Sequence, residues 1–150
     1  MTIPDDALIT AHRRAMFAEM GTGDDQTLGA MERSFSPWVE RMLTAGKYVG
    51  WIVEDGGQPL VSGGFVELEW PPHPLDPEAG VRGYLLNFWV EPAYRGKGLA
   101  KDITKQGLAE SRKRGLRVTV LHASGAGKPV YSGLGFSESN EMLFVDTALM

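Results

Sequence analysis

Between Tyr84 and Ala100 the chain passes from an apolar run through a glycine-rich turn into a helical pattern, and no other stretch restricts the fold as tightly. Tyr84 to Val90 is apolar on both faces apart from Asn87, as a central strand covered on both sides would be. Pro92 cannot donate to a continuing ladder, so the strand is predicted to end near Glu91. Gly96 and Gly98 lack the Cβ atoms that would hold a ligand off the backbone. The helix predicted from about Gly98 turns its free N–H groups and positive dipole end into that gap. Such a corner suits a phosphate.

The spacing separates three kinds of phosphate loop. A P-loop needs Gly-Lys followed by Ser or Thr, which the chain lacks. A dinucleotide fingerprint from Gly96 would need a small residue where Lys101 stands, and an acid at the end of the next strand, where His122 stands. What fits is Arg-x-x-Gly-x-Ala, read at Arg95, Gly98 and Ala100 and preceded by Val90-x-Pro92. This resembles the pyrophosphate loop of the GNAT superfamily of acyl-CoA-dependent N-acyltransferases. Further on, Gly127 to Phe136 carries Tyr131 and ends in Leu134-Gly135-Phe136, and it looks like the short tyrosine-bearing helix of the same superfamily. The resemblance covers roughly Val49 to Phe144.

The resemblance implies an α/β (α+β) fold with one mixed, mostly antiparallel twisted sheet of about six strands flanked by helices. It implies acetyl-CoA as cosubstrate, lying in a cleft where the two parallel strands splay, and transfer of the acetyl group to a primary amine of a small molecule or peptide by direct attack in a ternary complex. The pyrophosphate would take N–H groups of Gly96, Gly98, Leu99 and Ala100. A freed N–H near Trp89 or Val90 would polarise the thioester carbonyl. Tyr131 would protonate the leaving thiolate, and Ser124 stands where many relatives have a pantetheine-binding asparagine, although serine there equally suits a helix cap. A relative that binds acyl-CoA without catalysing, as a sensor or interaction module, is the competing reading.

Charge distribution adds to this. The net charge is −4, which argues against a general nucleic-acid binder, yet Arg95 to Arg117 holds eight Lys/Arg against Asp102 and Glu110. Arg95, Lys97 and Lys101 sit at the loop and first helical turn, where cations oppose the helix dipole unless a polyanion is bound. One domain, residues 1–150, is expected from the length. No apolar run approaches a membrane span, no secretory signal is read, and a cytoplasmic location is expected. Zero cysteines and three scattered histidines (His12, His73, His122) give no metal-binding pattern.

Elsewhere, a helix is predicted over Thr2–Met20, and one interrupted helix or two short ones over Thr27–Phe35 and Pro37–Ala45, with Pro37 starting the second. Only Met1-Thr2-Ile3 precede the first helix, so the family's N-terminal strand is expected to be missing or vestigial, which leaves a sheet edge and a homodimer contact open. Tyr48–Glu54 and Leu60–Trp70 read as a hairpin, Trp70–Arg82 as a proline-rich loop, Leu116–Leu121 as a strand and Met142–Val145 as the last strand. Glu67 and Glu69 share one face of their strand and are candidates for the base that takes the amine's proton, as is His122. Phe17, Trp38 and Trp70 are candidates for an acceptor pocket, with specificity placed in the N-terminal helices and the 70–82 loop.

Overall fold

The computed structural model describes residues 5–149. Two helices open the chain, α1 (Asp6–Glu19) and α2 (Asp25–Thr44), then strands β1 (Tyr48–Asp55), β2 (Gln58–Glu69) and β3 (Val81–Val90). Helix α3 (Leu99–Lys113), strand β4 (Thr119–Leu121) and the short helix α4 (Lys128–Gly133) follow. The sheet runs β1-β2-β3-β4, antiparallel except for the parallel β3–β4 pair, which the α3 crossover dictates.

Each face of the sheet carries its own core. On one, Ile9 of α1 and Phe35 and Val39 of α2 pack with Tyr48, Val66 and Leu86; on the other, Ile103 of α3 packs with Leu60 and Val61. Helix α3 lies close to the sheet because Gly107 faces it, where a Cβ would come within 2.5 Å of Leu85 Cδ2. Helix α2 is started by Asp24, whose carboxylate accepts from Thr27 N at 2.8 Å. It runs through Pro37 without the expected break. The lost hydrogen bond and the ring clash cost about 3 kcal/mol. Phe35 and Val39 flank that proline on one buried face, and their burial holds the helix together across it.

The strand count differs from the expected six. Among the described residues four strands pair, and Met1–Ile3, where a vestigial strand was anticipated, lie outside them. Met142–Val145, expected as the last strand, forms no strand and pairs with none of the described residues, leaving Met142, Leu143 and Phe144 97%, 90% and 86% exposed. The class of fold is unaffected.

The β2–β3 register shifts at one point: Gly64 opposes Leu86 and Ser62 opposes Trp89, so Asn87 and Phe88 on β3 stand against Gly63 alone. This is a β-bulge. Asn87 adopts φ 62°, the left-handed region that asparagine tolerates better than most residues. Its buried side chain is fixed at both ends, Nδ2 donating to Tyr48 Oη at 3.1 Å and Oδ1 accepting from Arg13 Nη1 at 2.8 Å. No helix among the described residues is long and apolar enough to cross a membrane.

Candidate active site

Strand β4 covers β3 only from Gly83 to Leu85. Beyond that point β3 continues to Val90 with no strand on that edge, and a cavity of about 700 Å³ opens there. Its floor is the bulged end of β3, from Asn87 to Val90. One wall is α1, through Arg13, Met16, Phe17 and Met20; the other is the end of β4 and α4, through His122, Ser124 and Tyr131. The phosphate corner predicted from the sequence closes one end with Gly96, Gly98, Leu99 and Ala100.

That corner has the features its residues require. Gly98 is the N-cap of α3 in a left-handed conformation (φ 79°), with no side chain capping the helix and nothing within 4 Å of where a Cβ would sit. The first N–H groups of α3 therefore face open space at a positive helix end. Arg95 lines the cavity, but its guanidinium is already engaged: Nη1 and Nη2 donate to Glu19 at 2.5 and 2.7 Å, Nε donates to Val90 O at 3.0 Å, and the group lies over the Trp89 ring. The pair ties the end of α1 to the loop. Lys97 does not line the cavity and sits instead over the Tyr94 ring, whereas Lys101 does line it.

Tyr131 is brought into the wall by α4, its ring edge-on to Phe136. Burial pushes its phenol above the ordinary value of 10, so the hydroxyl keeps its proton at neutral pH. Ser124 also lines the cavity, and its Oγ accepts from Gly127 N at 3.2 Å in the turn that leads into α4. On the same wall, His122 Nδ1 lies 3.2 Å from the Tyr84 hydroxyl, with the two rings edge to face.

The carboxylates proposed as bases are placed elsewhere. Glu67 accepts from Arg114 Nη1 at 3.0 Å, in a network that also joins Glu110, and neither Glu67 nor Glu69 lines the cavity. Of the aromatic candidates only Phe17 reaches it. Trp38 packs into the core beneath α2, and Trp70 stacks on His73 in the 70–82 loop, which contributes nothing to the lining. Arg13, Glu19 and Tyr84 went unread in the sequence; Asn87 was visible there as the lone polar residue of an apolar strand. Among the described residues no group of three His, Cys, Asp or Glu could hold a metal ion.

Comparison with known proteins gives the same picture. The family model for the acetyltransferase (GNAT) domain matches residues 46–138. A crystal structure of a GCN5-related N-acetyltransferase from Ralstonia eutropha superposes with a TM-score of 0.91 at 40% identity, covering 97% of this chain and 95% of that one. A predicted acetyltransferase from Clostridium acetobutylicum, solved with acetyl-CoA, gives 0.90 at 23% identity, covering 100% and 95%, a likeness of fold. A mycothiol acetyltransferase of Nocardioides sp. is 28% identical over 143 residues, 89% of this chain, which spans 45% of that relative's length. With more than half of its length matched by that model, the chain belongs to the GNAT acetyltransferase family.

Proposed function

We propose that this chain transfers an acetyl group from acetyl-CoA to a primary amine by direct attack within a ternary complex. The observation that carries the proposal is the unpaired edge of β3 from Leu86 to Val90, which opens beside an uncapped helix start. The edge offers strand-like hydrogen bonds to an extended amide chain, and the helix start offers N–H groups to a pyrophosphate. Gly96, Gly98, Leu99 and Ala100 would hold the pyrophosphate; Trp89 and Val90 would line the pantetheine. Lys101 supplies the cation closest to hand, since Arg95 is held by Glu19.

Acetyl-CoA supplies an acyl group already activated as a thioester. The residues of the chain then have two tasks, to accept a proton from the amine and to give one to the departing sulfur. Tyr131 has a retained proton and stands in the wall, so it fits the second. His122, on the same wall with Nδ1 beside the Tyr84 hydroxyl, fits the first better than Glu67, whose charge is spent on Arg114.

The test is a thermal-shift panel of acetyl-CoA, CoA, ATP and NAD, followed by thiol release with a panel of amines. Acetyl-CoA and CoA at about 100 times their dissociation constants should stabilise the fold by about 2.7 kcal/mol, and ATP and NAD should not. Gly98→Val puts a branched side chain at φ 79° and in the space where the ligand approaches the backbone, so it should cost the free fold some stability and, in a sample shown folded by circular dichroism, lose the ligand-induced gain. Stabilisation without thiol release from any amine would indicate a binding module, and no stabilisation at all would refute the donor assignment.

A further inference from the structure

Arg13 is a cation built into the cavity wall without a counter-charge. Arg14, Arg82, Arg95 and Arg114 all pair with carboxylates, and Arg33, Arg41, Arg112 and Arg117 are exposed to water. Arg13 is half-buried with no ion-pair partner among the described residues. Its guanidinium is sandwiched between the rings of Phe17 and Phe35, 4.9 and 4.7 Å from their centroids. Nη1 donates to Asn87 Oδ1, Nε is buried with no acceptor, and Nη2 remains open. Burial works against the charge, pulling its pKa down, and only the neutral phenols of Tyr84 and Tyr48 stand near it. A cation desolvated in this way is costly unless an anion joins it.

Its position shows which ligand supplies that anion. Arg13 precedes Glu19, the residue tied to the phosphate loop, by six positions on α1, or about 9 Å along the helix. Its partner Asn87 lies three residues before the Val90 end of β3, about 10 Å from it. Arg13 is therefore removed from the pyrophosphate corner and sits beside Tyr84, whose hydroxyl meets His122. Resting on the acetyl-transfer reading, we propose that the acceptor amine carries an anionic group, a carboxylate or a phosphate, which Arg13 binds while the amine faces His122. Asn87 and the two aromatic rings fix the guanidinium so that binding need not order it.

The test compares matched acceptors: 4-aminobutyrate with butylamine, phenylalanine with phenethylamine, and phosphoethanolamine with ethanolamine. At least one charged member should exceed its neutral partner in kcat/KM by about 10- to 100-fold, the worth of a hydrogen bond to a charged group, and which pair does so tells carboxylate from phosphate. In Arg13→Gln that ratio should collapse, mainly through KM, and Arg13→Lys should recover part of it. Neutral amines used as well as charged ones by the wild type, or an Arg13→Gln variant that keeps the ratio, overturns the proposal. Should no amine be turned over although acetyl-CoA binds, succinate and phosphate added to the CoA-loaded protein must raise its Tm, and no rise overturns it too. Failure of the donor reading is seen separately, as absent stabilisation by acetyl-CoA.

Discussion

A phenol pushed above its ordinary pKa is a reluctant acid, and this sets how much Tyr131 can contribute. Proton transfer to a thiolate of pKa about 8.5 is uphill from such a phenol, so a good share of the sulfur can leave unaided. Tyr131→Phe keeps the ring and its edge contact with Phe136 while removing the proton. Folding and acetyl-CoA affinity should be nearly unchanged, and kcat should fall by about 10², the low end for a general acid. Rapid-quench measurement of acetyl transfer checks this, and undiminished turnover per folded molecule would assign the proton to water. Tyr131 was legible in the sequence because a fixed local spacing surrounds it. Arg13 was not: next to the apolar stripe of an amphipathic helix, a cation reads as solvent-facing until the helix is seen against a cavity.

At the scale of elements, legibility followed locality. The strand, the glycine turn and the helix start at residues 84–100 each follow from neighbouring residues, and they appear as β3, the Gly96–Gly98 turn and α3. Asn87 announced the bulge only as a polar exception, since the extra residue is defined by its pairing with β2. The unbroken α2 and the short β4 depend on packing across the sequence. Pro37 is carried by the buried face of Phe35 and Val39, and β4 ends at Leu121, where the cavity opens. Glu67 shows the limit of strand alternation as a guide. The pattern gives the face it shares with Glu69 but not that Arg114, nearly fifty residues on, lies there. The element with the largest functional consequence is α1. It supplies one cavity wall through Arg13 and, through Glu19, clamps Arg95 at the loop, so the proposed acceptor contact and the proposed donor corner would share one helix.

Stability of the whole molecule should depend on pH through a residue outside the chemistry. His12 is 8% exposed between α1 and the sheet, with Nδ1 2.5 Å from Ser62 Oγ. Burial lowers its pKa from 6.5, opposed in part by Glu91, so the fold prefers the neutral ring. As pH falls through 6.5 the unfolded chain takes up a proton that the folded chain refuses, and stability declines until the folded ring's own lowered pKa is reached. The carboxylates titrate in a separate window. Glu19 and Glu141, held down by Arg95 and Arg82, keep their contribution above 4.5 and lose it below. Urea unfolding between pH 8 and pH 4 should therefore show a plateau above about 7, a decline beginning near 6.5, and a second, steeper fall under 4.5. His12→Asn, which can still bond Ser62 but does not titrate, should be less stable at pH 8 through lost packing and should flatten only the upper decline. An unchanged slope between pH 7 and pH 5 in that variant would transfer the effect to another group.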